Sequence, residues 1–147
     1  MMDTINSILR VKGCDVWSVP PDATVYDAIA LMAEKGIGAV LVISEGALLG
    51  IVSERDYSRK VILQGRSSKE TRVEEIMTAD LVTVTPETTI DESMSVMTHY
   101  RIRHLPVLNR GNLVGVVSIG DLVKAVISEQ AHTIHQLHTY IGGKYPA

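Results

Sequence analysis

The sequence has too few cysteines and too little positive charge for several classes of protein. Its one cysteine, Cys14, cannot form an internal disulfide and has no companions for a cysteine-based metal site. The formal net charge is -3, with 14 basic and 17 acidic residues. A broad surface for nucleic acid or for an anionic membrane requires clustered positive charge, which this composition argues against. We therefore expect neither kind of partner.

Long apolar runs are also missing. No stretch approaches the ~18 consecutive apolar residues of a membrane-spanning helix. Residues 1–6 lack the basic and apolar regions of a secretory signal peptide. The absence of both signals favours a cytoplasmic protein. A composition of 46% hydrophobic and 21% charged residues is typical of an ordinary globular chain.

No catalytic set can be recognised. Catalysis needs a nucleophile or a base that a partner side chain holds in convergent geometry. One cysteine, histidines mostly in the tail and acidic residues at helix starts do not provide this. We expect no enzymatic activity, with a slow nucleotide hydrolase as the enzymatic alternative. We also expect no metal site, because histidines three residues apart drift by about 60° per step around a helix; these are His132, His135 and His138.

What the sequence does contain is an internal duplication. Residues 46–56 have the pattern of a turn, a short apolar strand, and then a Ser and an Asp at a helix start, and residues 111–121 repeat this pattern. The same offset of 65 positions aligns residues 16–62 with residues 81–127 without a gap, and 14 of the 47 aligned pairs are identical. Such repetition decides the architecture. Because one unit of this size is near the lower limit of independent folding, we expect the two to form one compact pair.

Both repeats predict the same order of elements, β-α-β-β-α, and therefore an α+β fold. Thr89 and Glu92 have the spacing of a capping box, and Thr24 and Asp27 have it with Asp in place of the usual Glu. Repeat 1 is expected at residues 13–64 and repeat 2 at 73–128, with an N-terminal helix at 1–12 and a C-terminal helix and tail at 129–147. Strands are expected at residues 16–19, 39–43, 48–52, 81–84, 105–108 and 113–117, and closing helices at residues 56–63 and 121–127.

Three features resemble tandem CBS domains, the modules named after cystathionine β-synthase. They are the repeated Gly-hydrophobic-hydrophobic-Ser-x-x-Asp, the phrase Arg-Ile-Arg-His-Leu-Pro-Val at residues 101–107, and Ile-Met-Thr at residues 76–78. The resemblance covers residues 16–127. It implies a pseudo-two-fold pair, or Bateman module, with a cleft for an adenine nucleotide; family members take AMP, ADP, ATP, NAD or S-adenosylmethionine. Stand-alone pairs of the family usually form homodimers, and most members regulate another domain.

Ser53 with Asp56, and Ser118 with Asp121, allow two interpretations. The structural one is a helix start, with Ser as the N-cap and an acidic residue in the first turn. The functional one uses the same geometry, since a helix N-terminus attracts phosphate and a neighbouring carboxylate can accept the hydroxyls of a ribose. Both can hold together. The duplication and the family resemblance favour binding.

The base of a nucleotide is expected to lie against apolar strand residues whose backbone groups contact its edge. Arginines could bind phosphate or simply lie on a solvated surface. Their different placement in the two repeats predicts two clefts that are not equivalent. The candidate residues of the first repeat are Ser18, Val19, Gly38, Ala39, Val40, Ser53, Arg55, Asp56 and Arg59. Those of the second are Thr83, Val84, Arg101, Arg103, His104, Leu105, Pro106, Ser118 and Asp121.

These observations predict a non-enzymatic adenine-nucleotide sensor that binds AMP, ADP or ATP and acts on a partner protein in signal transduction. An alternative ligand is NAD, with the polar loop at residues 64–72 folding over the second nucleotide through Ser67, Ser68 and Lys69. A further alternative is a scaffold or dimerisation protein without a ligand.

Overall fold

The computed structural model describes residues 3–129. Two compact units divide the chain: residues 15–82 form the first unit, and residues 3–14 together with residues 83–129 form the second. The boundary between the units falls after residue 82, so residues 73–82 of the predicted second repeat belong with the first unit, and the N-terminal helix belongs with the second. Within residues 3–129, no helix is both long enough and apolar enough to cross a membrane.

The first unit contains a three-stranded sheet with strand order β1-β2-β3. Strand β1 is parallel to β2, and β2 and β3 form an antiparallel hairpin. Glu45 and Gly46, in the hairpin turn, have the positive φ angles that a tight turn of this kind requires. The elements are β1 (Ser18–Val19), α2 (Val25–Lys35), β2 (Ala39–Ser44), β3 (Ala47–Ser53), α3 (Glu54–Tyr57) with a π-helical continuation (Ser58–Ile62), and a 3-10 turn (Val73–Glu75).

The second unit repeats this architecture with one strand fewer. Strands β4 and β5 form an antiparallel hairpin, again with two positive φ angles in the turn, at Arg110 and Gly111. The elements are α1 (Ile5–Lys12), α4 (Ile90–Tyr100), β4 (His104–Asn109), β5 (Asn112–Ser118) and a helix, α5, described over residues 119–129. The closing helices begin two residues earlier than predicted in both units. Ser53 and Ser118 cap them by accepting a hydrogen bond from the first turn, and each helix begins at the residue directly after its cap.

Local signals set the ends of the long helices. Thr89 and Glu92 form the predicted capping box of α4, with the Glu92 N–H donating to Thr89 Oγ1 at 3.0 Å and the Thr89 N–H to Glu92 Oε1 at 3.0 Å. Thr24 accepts from the Asp27 N–H at 3.1 Å, but the shorter Asp27 side chain returns no bond. Gly36 ends α2 in the left-handed conformation.

The buried residues follow the repeat. In the first unit, the core consists mainly of Val and other aliphatic side chains from one face of α2 and from β2 and β3. The second unit buries the corresponding positions. Aliphatic side chains of this kind each contribute roughly 1.5–3 kcal/mol when fully buried. The matched pairs are Val25 and Ile90, Met32 and Met97, Val40 and Leu105, Val42 and Val107, and Val52 and Val117.

The strand predicted at residues 81–84 is reduced to a single bridge between Val84 and Val107. In the first unit, the Leu41 N–H donates to Trp17 O at 3.0 Å and helps to hold β1 against β2. The corresponding residue on β4 is Pro106, which has no N–H to donate. One ladder bond is therefore missing in the second unit, and the paired stretch is shorter.

A segment at the start of the predicted second repeat packs in the first unit. Residues 71–77 lie beside the start of α2, where the Val25 N–H donates to Thr71 O and the Val73 N–H donates to Ala23 O, both at 2.8 Å. The bonds satisfy a backbone donor that helix geometry leaves without an intrahelical partner. This segment thus caps the first unit although it leads into the second repeat.

Residues 3–9, which precede the first repeat, occupy the matching place in the second unit. The Ile90 N–H donates to Asp3 O at 3.0 Å, and the Ile5 N–H donates to Thr88 O at 2.9 Å. These are the same two bonds at corresponding positions. We call residues 71–77 and 3–9 the entry segments. The entry segment at the start of the chain packs in the second unit, and the one between the two hairpins packs in the first.

Two corresponding glycines make room for the entry segments. A Cβ at Gly50 would lie 2.7 Å from Met77 Sδ and 2.8 Å from Thr78 O, and a Cβ at Gly115 would lie 2.8 Å from Leu9 Cδ2. Glycine allows the close approach that a side chain would prevent.

Candidate functional site

In the first unit, the start of α3 lies beside the beginning of β2. Ala39 pairs with Ser53 across the hairpin, and the Glu54 N–H donates to Gly38 O at 3.0 Å. Strand β1 runs parallel on the other side of β2, with Ser18 opposite Leu41. The structure thus brings together the predicted residues of β1, β2 and α3 at one edge of the unit.

The second unit has the same arrangement. His104 pairs with Ser118, and the Ile119 N–H donates to Arg103 O at 2.8 Å. The Val84 N–H donates to Pro106 O at 3.1 Å, and Thr83, directly before Val84, is exposed.

Both carboxylates are fixed by capping boxes. In the first unit, the Asp56 N–H donates to Ser53 Oγ at 3.2 Å and the Ser53 N–H donates to Asp56 Oδ2 at 2.9 Å. In the second, the corresponding distances for Ser118 and Asp121 are 3.1 Å and 2.8 Å. The helix-start interpretation is therefore correct, and it also holds each carboxylate in a defined orientation beside its strand edge.

A lysine pairs with each carboxylate, and sequence analysis identified neither lysine. Lys60 Nζ lies 3.0 Å from Asp56 Oδ1, four residues along the same helical segment, and donates to Ile76 O at 2.8 Å. Lys12 Nζ, at the end of α1, lies 2.8 Å from Asp121 Oδ2. The spacing of Lys60 from Asp56 is a helical i,i+4 pair and could have been recognised. Nothing local points to Lys12, which is 109 positions from its partner.

The two carboxylates differ in how their oxygens are used. Asp56 accepts on Oδ2 from Ser53 and on Oδ1 from Lys60. Asp121 accepts from both Ser118 and Lys12 on Oδ2. Within the part of the chain that the structure describes, Oδ1 of Asp121 receives no hydrogen bond.

The surroundings of Asp121 lower its pKa. Burial by itself raises the pKa of this carboxyl, but hydrogen bonds from Lys12 and from the Ser118 backbone and the charge of Lys12 outweigh burial. His104 also has a lowered pKa, mainly because burial disfavours its charged form; Lys12 and Arg103 add to the effect and Asp121 opposes it. The second unit therefore presents an ionised carboxylate, two cations and a histidine that favours its neutral form.

Several predicted contacts to the base are not available through side chains. Val19, Val40, Val84 and Leu105 are between 0% and 8% exposed because they point into the cores, and Pro106 is buried as well. Only their backbone groups could meet a ligand. That a base lies against these strands, with their backbone groups at its edge, stays a prediction.

The predicted cations lie in different environments. Arg55 is half-buried on α3, and Arg59 is exposed on the continuation of that helix. Arg103 is exposed directly before β4, and Arg101 ends α4 with a φ of 57°, where the first repeat has Gly36. Each unit thus supplies at least one exposed arginine near its carboxylate-bearing edge.

The loop residues suggested for an NAD contact lie against α2. The Tyr26 N–H donates to Ser68 O at 3.0 Å, Thr71 Oγ1 donates to Ser67 O at 2.7 Å, and Lys69 Nζ lies 4.9 Å from the centre of the Tyr26 ring. These contacts cap the helix and leave the NAD alternative without a supporting observation.

A groove of about 790 Å³ lies between α1 and α5 of the second unit. Ile8, Val11, Lys12, Asp121 and Lys124 are among its lining residues, whereas Thr83, Val84, Arg103 and His104 are not. The groove therefore meets the candidate site only at Asp121 and Lys12.

No cluster of His, Cys, Asp or Glu that could hold a metal ion occurs among residues 3–129, and the tail histidines lie outside the described residues.

A duplicated α+β unit, with a carboxylate fixed at the same helix start in both copies, defines a tandem-repeat module. The sequence matches the CBS domain family over residues 10–62 and 73–128. The chain belongs to this family and is a pair of CBS domains, a regulatory module.

Known proteins support this assignment over nearly the whole chain. The mitochondrial CBS domain-containing protein CBSX3 of Arabidopsis thaliana is 45% identical over 97% of this chain and 73% of its own length. A protein with CBS domains from Burkholderia ambifaria has a solved structure that is 57% identical, with a TM-score of 0.84 over 86% of this chain and 96% of that chain. Because the Arabidopsis relative is mitochondrial, the cytoplasmic location stays a prediction.

A more distant structure shares the fold. The CBS domain pair of the protein MJ0100, solved with 5'-methylthioadenosine and S-adenosyl-L-methionine, is 21% identical with a TM-score of 0.77. The structural match covers 88% of this chain and 99% of the MJ0100 domain pair.

Proposed function

We propose that this CBS-domain pair is a sensor that binds AMP, ADP or ATP through the ribose and relays the binding to a partner protein. The observation that carries the proposal is the matched pair of carboxylates, Asp56 and Asp121. Each is fixed by a backbone N–H at a helix start, and each remains partly accessible, with 15% and 20% of its side chain exposed. An oriented carboxylate beside a helix N-terminus suits a ribose with a neighbouring phosphate.

The rest of the site supports the same class of ligand. Backbone groups beside Gly38 and Arg103, directly before β2 and β4, could meet the edge of a base, in the way that a few polar groups orient small ligands. Arginine is the preferred bidentate partner of phosphate, and Arg59 and Arg103 are both exposed. The two ligands seen on the MJ0100 domain pair are adenosine derivatives, which supports an adenosine-containing ligand here.

The signal would pass to another chain. A ligand shifts a conformational equilibrium only by the difference between its affinities for the two states.

We further propose a homodimer, because the closing helices expose large apolar side chains, including Ile62, Leu63 and Ile127 at 54%, 75% and 59%. Light scattering coupled to gel filtration measures the mass, and a monomer at all concentrations would rule the dimer out.

The binding proposal is tested in two steps with the purified full-length chain. Bound nucleotide is first released by denaturation and identified by ultraviolet absorbance and mass spectrometry. The stripped protein is then titrated calorimetrically with AMP, ADP, ATP, adenosine and NAD. We expect saturable binding of at least one adenine nucleotide. Binding of NAD alone would favour the redox-sensor alternative, and no binding at all would favour the scaffold.

A further inference from the structure

The two site lysines come from different parts of the fold. Lys60 is on the same helical segment as Asp56, and its counterpart in the second repeat is Ala125, which has no charge. The second carboxylate instead receives its cation from Lys12, on the entry helix α1. The fold therefore supplies a lysine to Asp121 although the second repeat has alanine at the position that corresponds to Lys60.

Lys12 follows the buried face of a docked helix and has a partly exposed side chain. Helix α1 is held in the second unit by Ile5, Ile8 and Leu9, which are 0%, 7% and 6% exposed. The Lys12 side chain is 37% exposed, and its Nζ donates to Asp121 Oδ2 at 2.8 Å and to Val116 O at 2.9 Å. An ammonium group has three N–H donors on a flexible four-carbon stem. Within residues 3–129 two donors are used, and the third can act without breaking either contact.

A ribose on Asp121 would bring its phosphate close to this ammonium. Oδ1 of Asp121 accepts no bond within residues 3–129, so a ribose hydroxyl can donate there while Lys12 stays on Oδ2. The phosphate of a 5'-nucleotide is joined to the sugar ring through one carbon and one oxygen. The free donor and full charge of Lys12 would then act on the phosphate, where charge-assisted hydrogen bonds are stronger than neutral ones. An unphosphorylated nucleoside offers no partner for that interaction.

We propose that Lys12 is a specificity-determining residue that makes the second site prefer phosphorylated nucleosides over adenosine. This inference rests on the proposed function, because it requires a ribose on Asp121. The competing interpretation is that Lys12 only attaches α1 to the second unit. An exposed ion pair contributes little to stability, and such a role would affect all ligands alike.

The test isolates the second site and compares two ligands. In an Asp56→Ala background, which removes the first carboxylate, AMP and adenosine are titrated into Lys12→Met and Lys12→Arg proteins by calorimetry. The control is Arg10→Met, which removes the same charge from an exposed position on the same helix. If Asp56→Ala does not fold, Asp56→Asn retains the hydrogen-bonding shape. Circular dichroism verifies that each variant is folded.

We expect Lys12→Met to weaken AMP about tenfold and adenosine less than about threefold, with Lys12→Arg and Arg10→Met retaining the preference for AMP. An equal loss for both ligands, or an unchanged ratio, would overturn the role of Lys12 and leave the binding proposal intact. If the Asp56→Ala protein binds neither ligand while folded, the proposed ribose site on Asp121 is itself wrong.

Discussion

Replacing Asp121 by alanine distinguishes a helix cap from a ligand-binding residue. Asp121 and Ser118 form two halves of one capping box, with distances of 2.8 Å and 3.1 Å. Asp121→Ala removes the carboxylate and its half of the box. Ser118→Ala removes the other half and leaves the carboxylate and Lys12 in place. The two variants therefore share the loss of a cap but differ in the proposed contact to ribose.

The expected effects on stability are similar and modest. Loss of a capping side chain costs about 1 kcal/mol. Asp121→Ala also removes the ion pair with Lys12, whose side chains are 20% and 37% exposed, and such a pair contributes about 0.2–1 kcal/mol. Each variant should therefore lose about 1–2 kcal/mol, and the melting temperature should fall by a few degrees.

The expected effects on affinity are very different. A hydrogen bond to a charged acceptor contributes about 1.5–3 kcal/mol, so loss of one ribose contact weakens binding at this site by about tenfold and loss of two by about a hundredfold or more. Ser118→Ala should change the affinity for AMP by less than about threefold, since the carboxylate remains. Calorimetric titration with AMP measures the affinity, and thermal unfolding followed by circular dichroism measures the stability. If both variants lose affinity equally, or if Asp121→Ala lowers the stability of the chain but leaves its affinity for AMP unchanged, Asp121 is only a cap.

Two further predictions concern the fold. Gly50→Ala should lower the free energy of unfolding by about 1–3 kcal/mol, because the new Cβ meets the backbone at 2.8 Å. Gly115→Ala should lower it less, because its Cβ meets only the end of a leucine side chain. Urea unfolding measures both losses, and a larger loss for Gly115→Ala would contradict the packing described. His104 should make stability depend on pH. Burial lowers its pKa, so the unfolded chain binds more protons, and stability should fall as the pH drops through about 6.5 and level off below the folded pKa. His104→Gln should remove this dependence in urea unfolding at several pH values, and an unchanged slope would disprove the assignment.

Features set by neighbouring residues could be predicted from the sequence. The capping box of Thr89 and Glu92, the end of α2 at Gly36 and the hairpin turns depend on residues a few positions apart. The duplication supplied the rest, since each element found in one repeat located its counterpart. The family prediction is confirmed by the match over both repeats.

Features set by distant contacts could not be predicted. The effect of Pro106 on the strand at residues 81–84 depends on which backbone donor that strand needs. The packing of the entry segments is invisible in the repeat alignment, because those segments lie outside it. The pairing of Lys12 with Asp121 follows from that packing, and no local pattern connects the two residues.

A structure of the chain with AMP bound tests the central claim most directly. We predict that a ribose hydroxyl lies about 2.5–3.0 Å from a carboxylate oxygen of Asp56 or Asp121. A nucleotide bound elsewhere, with its ribose beyond hydrogen-bonding distance of both carboxylates, would contradict the account.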